Sequence, residues 1–237
     1  NLAEVVFMPI RADATRTSSL VSGNIDMTVN VPLQDVARLK AGGIEVAQGP
    51  ELRTIFLGMD QSREELLYSD VKGKNPFKDI RVRKALYQAI DIETIRRSVM
   101  RNASWPAGTL LSPYLNGSPQ ALNKRLLPFD PEAAKKLLAD AGYAQGFSVG
   151  MQCPNDRYVY DEALCVAISS MLARVGIKVN LMVEPTPRWS VRLNTNDVSL
   201  YMVGHAGLPM ADSYGLLKDV VHTRSQREGS LNAGRYS

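Results

Sequence analysis

FKDIRVRKALYQAIDIETIRRSVMRN, residues 77–102, decides how the rest of the chain is read. Val82, Ala85, Leu86, Ala89 and Ile90 recur at i, i+3, i+4, i+7 and i+8, which puts them in one stripe along a helix. Asp79 can cap that helix. Asp91 offers a side-chain oxygen to the amides of a new turn, and Ile92, Ile95, Val99 and Met100 carry the stripe onward in a changed direction. The stretch therefore predicts two amphipathic helices that share an apolar face. Arg81, Arg83 and Lys84 crowd the first turn, where the helix dipole disfavours cations, so partners such as Asp79 or Asp91, or an anionic surface elsewhere, must hold them.

Outward toward the N-terminus, residues 54–59 (TIFLGM) form an apolar, β-rich run. Before it, residues 5–8 read as a strand, Asp13 as a cap, a helix runs to about Val21, and Gly23 ends it in a left-handed conformation. Residues 25–29 and 44–46 read as further strands around a short helix at 32–40, which Gly42 and Gly43 stop. That order is β-α-β-α-β. In this segment Val5, Phe7, Ile25 and Val29 are expected to present an exposed apolar edge.

Outward toward the C-terminus, residues 102–127 form a long connection containing Trp105, Pro106, Pro113 and Tyr114. Long loops in compact domains tend to be functional or disordered; the two large aromatics favour order and suit a ligand wall. Asp130 as cap, Pro131 at the first helical position, Glu132 in the first turn and Gly142 as stop delimit a helix. Residues 147–151 read as a strand. Asp161 opens a helix whose stripe is Leu164, Ile168, Met171, Leu172 and Val175, and Ile177, Val179, Leu181 and Val183 alternate with polar or less apolar neighbours as in a half-buried strand. Pro185 and Pro187 break it, a helix covers about 189–193, a strand 198–203, and periodicity is lost over 204–212. Strands alternating with helices predict an α/β fold with a mixed or parallel sheet. Residues 60–203 form one complete unit, flanked by 1–59 and 204–237 as parts of a second; both chain ends look cut.

Composition narrows the function classes. With 237 residues, 45% hydrophobic and 22% charged, the chain is an ordinary globular sequence of one large or two small domains. The net charge of +4 is scattered, without a Lys/Arg block or an interleaved aromatic platform, which argues against nucleic acid. No apolar run is long enough to span a bilayer, and the first residues lack the pattern of a signal peptide. Cys153 and Cys165 read as two unpaired thiols, one at a strand end and one on a helix, or as a single bridge if the compartment is oxidising. They and the two histidines, His205 and His222, share no ligand spacing, so neither metal nor cofactor is signalled. Nucleophile elbows, zinc-binding helices and phosphate loops are absent from the sequence, and two histidines leave little general-base capacity. An enzyme is not expected.

Several stretches taken together resemble one family. VRKALYQAID (82–91), FDPEAAKKLLADAGY (129–143), FSVGMQCPNDRY (147–158), MLARVGIKVNL (171–181), LVSGNIDM (20–27), LRTIFLGMDQS (52–62) and NAGRYS (232–237) are similar, in the family's order, to the peptide/nickel type of extracytoplasmic solute-binding proteins of ABC importers. The resemblance implies a periplasmic-binding-protein-like α/β fold of two lobes closing on a ligand, one lobe complete here and the other partial. It implies crossings between lobes near 57–60 and 203–207, with Leu57, Gly58, Asp60, Val203 and Gly204 as hinge residues. It further implies a monomeric, periplasmic or otherwise extracytoplasmic receptor that hands a peptide or small-molecule ligand to ABC permease membrane subunits. Complete members are about twice as long and carry a signal peptide or lipid anchor. Members that bind peptides neutralise the ligand's amino group with an acidic residue in a tryptophan-containing motif; here the tryptophan position falls on His205 and the aspartate at or near Leu208, with Asp212 further along. A buried ammonium without a carboxylate is costly. An oligopeptide or peptide-like solute is the family default, and an opine-like or sugar-phosphate solute, or a scaffold or chaperone-like role on the same fold, are the alternatives.

The candidate ligand-binding residues follow from these positions. Trp189 with Arg188 reads either as a stacking wall plus a cation for a ligand carboxylate or as a helix-start aromatic packed on the lobe surface. Arg157, Tyr158 and Tyr160, after a strand's carboxyl end where α/β sheets bind ligands, read either as a cleft-lining loop or as a solvated loop. His205, Met210, Asp212 and Tyr214 lie where family members contact ligand, and Tyr114 stands in the long connection.

Overall fold

In a computed structural model, which describes residues 3–119, 121, 123–207 and 211–237, the chain divides into two compact units, Asn1–Pro50 and Glu51–Ser237. The division falls at Pro50/Glu51, so the 54–59 strand and the 204–237 segment make their contacts with the unit that contains 60–203.

The first unit carries helices α1 (Asp13–Val21) and α2 (Val36–Ala41). Asp13 does not cap α1: it stands in the first turn and ion-pairs with Arg16, whose guanidinium also donates to the carbonyls of Ile10 and Asn30. Gly23 takes the left-handed conformation expected of it, with φ +74°. The expected strands at 5–8, 25–29 and 44–46 do not form among the described residues. Apolar β-formers make a strand only where a neighbouring backbone completes the ladder, and none pairs with them here. Val5, Phe7 and Val29 are accordingly 61%, 90% and 68% exposed.

The second unit is built on a four-stranded sheet in the order β1-β4-β2-β3, from β1 (Thr54–Met59), β2 (Phe147–Pro154), β3 (Ile177–Glu184) and β4 (Leu200–His205). β2 runs parallel to β3 and β4; β1 runs antiparallel to β4, with Thr54 opposite His205 and Met59 opposite Leu200. The carboxyl ends of β2, β3 and β4 and the start of β1 therefore lie on one edge.

The opening stretch forms α3 (Ile80–Ala89), with a short α4 (Ile92–Thr94) that passes into a π turn at Ile95–Val99 in place of a continued α-helix. Asp79 accepts the amide of Arg81, and Asp91 that of Thr94, so both caps stand where the spacing puts them. The guanidinium of Arg81 hydrogen-bonds the Asp79 carboxylate, holding that carboxyl below its ordinary range despite partial burial. Arg83 donates to the carbonyls of Phe77 and Lys78. These two basic residues are thus explained locally. Val82, Ala85, Leu86 and Ala89 are fully buried and join Phe77, Leu66, Ala134 and Leu138 of α5 (Pro131–Asp140), and Leu164, Ile168 and Leu172 of α6 (Asp161–Ala173), against the Val149–Met151–Leu200–Met202 face of the sheet. The opposite face is smaller. There Trp189 and Leu193 of α7 (Thr186–Asn194) pack with Val198, Tyr201, Val203 and Ala233. Ala233 belongs to the C-terminal stretch: Gly234 donates to the Tyr201 hydroxyl at 2.7 Å, and its carbonyl accepts from Gln61 at 2.9 Å. Burial pushes the Tyr201 hydroxyl well above its ordinary range.

Cys153 at the end of β2 and Cys165 on α6 are joined in a disulfide, and among the described residues no cysteine is free. Of the two readings the sequence allowed, the bridge is the one that forms. The residues twelve apart are brought together because the strand and the helix that follows it pack face to face in the core.

Candidate solute-binding edge

The loop between β2 and α6 is shaped by one carboxylate. Asp161 Oδ2 accepts the amides of Arg157 and Tyr158 at 2.9 and 3.0 Å, and Tyr160, just before Asp161, takes the left-handed region with φ +56°. The Tyr158 side chain is thereby laid on the end of β4. Its hydroxyl accepts the Gly204 amide at 2.9 Å and donates to the Gly204 carbonyl at 3.4 Å, and Arg157 Nε donates to the Tyr158 hydroxyl oxygen at 3.0 Å. A Cβ on residue 204 would stand 3.1 Å from Tyr158 Cε1, 3.1 Å from Arg53 Cδ and 2.5 Å from Ile55 Cδ1, so glycine is what permits this approach.

Around Tyr158 stand an indole and two guanidinium groups. The Trp189 ring meets it edge-on at 6.2 Å. Arg157 lies 5.4 Å from the Tyr158 ring centre and 5.2 Å from that of Trp189, and Arg53 lies 5.5 Å from Tyr158. Cations over aromatic faces are held in place without an acidic partner. Arg53 also pairs with the exposed Glu51 at 2.7 Å. Trp189 is 3% exposed, and its indole N–H, buried, has no hydrogen-bond acceptor among the described residues. Its ring is thus packed among Tyr158, Leu193, Tyr201 and Val203.

The other expected residues divide into those joined to this edge and those apart from it. Arg188 is turned toward Glu184, 3.7 Å away, with 75% of its side chain exposed, and Glu184 is more tightly engaged by Arg192. His205 ends β4; its Nδ1 accepts the Gly207 amide at 3.0 Å, and its Nε2 stands 3.6 Å from Asp219 Oδ2. Tyr114 and Tyr214, both more than half exposed, flank a second junction in which Asn116 forms a parallel bridge with Asp212. The Asn116 amide donates to the carbonyl of Ala211, and that of Ser213 to the carbonyl of Asn116, both at 3.0 Å. Asp212 Oδ1 there accepts the Tyr214 amide and opens the short helix α8 (Ser213–Leu216). Met210, like Leu208, lies outside the described residues.

The residues expected to hinge are in the ladder itself. Leu57 and Gly58 pair with Met202 and Tyr201, and Val203 and Gly204 with Phe56 and Ile55. Asp60 is fully buried, bound by the Ser62 amide and hydroxyl and ion-paired to Arg63. Arg53 and Asp161 were not singled out from the sequence. Asp161 was visible as a helix opener, but its grip on the preceding loop was not; Arg53 acquires its place only through the antiparallel pairing of β1 with β4.

Among the described residues no group of three His, Cys, Asp or Glu is placed to hold a metal, and no helix is long and apolar enough to cross a membrane.

The sheet gathers aromatic rings and cations on the loops at its carboxyl edge, and known structures share the form of this α/β fold. Over 96% of this chain and 45% of the other, it matches the oligopeptide-binding protein AppA of Bacillus subtilis in complex with a nonapeptide, with a TM-score of 0.76 at 22% identity. It also matches AgaA of A. tumefaciens R10 in complex with agropinic acid, with a TM-score of 0.69 at 26% identity over 92% of this chain and 41% of the other. The chain belongs to the bacterial extracellular solute-binding proteins, family 5, whose middle region is matched by residues 1–226. Members of this family bind solutes and are not enzymes. Among relatives, the periplasmic oligopeptide-binding protein OppA of Salmonella typhimurium is 28% identical over 211 residues. Those residues make up 86% of this chain but 36% of OppA, so the chain spans well under half the length of the relatives it matches.

Proposed function

We propose that the protein is the substrate-binding component of an ABC importer, taking an oligopeptide or peptide-like solute between two lobes and delivering it to the membrane permease. The observation that carries the reading is the cluster of Arg53, Arg157, Tyr158 and Trp189 at the carboxyl edge of the sheet, in a chain of this family. Clefts of this kind need oriented polar groups and aromatic walls rather than reaction chemistry. A planar guanidinium suits a carboxylate, so a solute carboxyl group is the natural partner of Arg157. Binding would favour the closed state, and the permease would read that state. The expected hinge residues lie in a stiff ladder; the irregular residues 44–53 ahead of β1 are the better place for the chain to bend between lobes. The buried Cys153–Cys165 bridge supports an oxidising, extracytoplasmic setting. A monomeric receptor needs no second copy to complete this edge.

A second reading, a non-peptide anion such as an opine, is favoured by the exposed Arg157 guanidinium lying over the Tyr158 and Trp189 rings and by the likeness to AgaA. The test is thermal unfolding of the full-length protein against a library of di- to pentapeptides and opines. A cognate solute should raise stability by RT ln(1 + [L]/Kd), about 2.7 kcal/mol at a hundredfold excess over Kd. No shift with any member would defeat the receptor reading.

A further inference from the structure

The loop that carries Arg157 and Tyr158 is closed at its base by a covalent bond. Cys153, in the last turnless residues of β2, is joined to Cys165 on α6, and both sulfurs lie in the fully buried core. The tip of the loop is held by weaker means. Asp161 gathers two of its amides, the Tyr158 hydroxyl reaches Gly204, and Asp156 Oδ1 accepts the amide and hydroxyl of Thr186 at 2.7 and 2.6 Å. Thr186 opens the helix that carries Trp189. The loop thus ties together the ends of β2, β4 and α7 while holding Tyr160 in a left-handed conformation that a bulky side chain resists.

We infer that the Cys153–Cys165 bridge is a positioning element of the binding edge: it fixes the span between β2 and α6, and so holds Arg157 and Tyr158 against Trp189 and Gly204. This rests on the reading that the loop faces solute. Hydrogen bonds at the loop's half-exposed tip open readily, and the strain at Tyr160 favours opening; with both ends of the loop covalently fixed, an opened loop has few other places to go. Pre-organised binding groups spare the solute the cost of ordering them.

A bridge that served stability alone would leave the loop as ordered as any other core change of equal cost. The test compares Cys153→Ala/Cys165→Ala with Leu138→Ala, a cavity in the same core on α5, both in full-length protein, with the emission of Trp189 taken as the difference from the matching protein that also carries Trp189→Phe. Amide exchange of residues 155–161 and the emission of Trp189 are read well below the unfolding temperature. We expect exchange at the Arg157 and Tyr158 amides at least tenfold faster in the bridgeless protein than in Leu138→Ala, with shifted Trp189 emission; in Leu138→Ala both should stay as in the parent. If the alanine pair does not fold, Cys153→Val/Cys165→Ala refills the lost volume and is read in the same way. Equal exchange and unshifted emission in the bridgeless protein would overturn the inference. Neither readout uses a solute, so failure of the receptor reading would appear separately, in the solute library.

Discussion

Gly146→Ala is expected to cost at least about 3 kcal/mol, because the insult falls on backbone rather than on a yielding side chain. Gly146 has φ +72°, and a Cβ there would stand 1.8 Å from the carbonyl oxygen of Gly176. That same oxygen accepts the Phe147 amide, the first bond between β2 and β3, while the Gly146 amide is bound to the Tyr143 carbonyl. Neither side can retreat without opening the start of the parallel pair. Gly73→Ala is the control: its φ is +68°, but nothing lies within 4 Å of the added carbon, so only the left-handed strain of about 1 kcal/mol applies. Urea midpoints of the two variants should differ accordingly. Equal midpoints would mean that β2 and β3 do not begin as described.

Asp60→Ala is the second large effect, and it separates an anchor from a hinge. The Asp60 carboxylate is completely buried, takes two hydrogen bonds from Ser62 and an ion pair from Arg63, and its carbonyl accepts from Asn75 at 2.9 Å. Removing one partner of a buried pair leaves the other charge stranded, which costs about 3–5 kcal/mol; Arg63 keeps some exposure, so the lower end applies. Calorimetry should show Tm lower by about 6–12 °C. A residue serving only as a flexible joint would change Tm by less than about 2 °C.

Much of the larger unit was legible because its signals are local. Asp79, Asp91 and Asp130 each cap the helix that the spacing assigns them, and Gly142 takes the left-handed conformation at its stop. The strand with strict alternation, 177–184, formed at those bounds. The first unit misled for a physical reason: Val5, Phe7 and Val29 are good strand formers, but a strand is completed by a partner, and pattern alone does not supply one. The binding edge was half legible. Arg157, Tyr158 and Trp189 could be placed after strand ends by chain order. Arg53 could not, since its nearness to Tyr158 depends on β1 pairing antiparallel to a strand about 150 positions away in sequence. The disulfide stood open for the same reason, because spacing of twelve fits many geometries and only the packing of α6 on β2 selects one.

A solute held at the carboxyl edge of the sheet by Arg157, Tyr158 and their neighbours should lose affinity when Arg157 loses its charge. Calorimetric titration tests it most directly, using whichever peptide or opine most stabilises the full-length protein, injected into wild type, Arg157→Gln and, as a control on α5, Lys135→Gln. Arg157→Gln should weaken binding at least tenfold, about 1.4 kcal/mol, while Lys135→Gln should stay within twofold of wild type. Wild-type affinity in Arg157→Gln would contradict it.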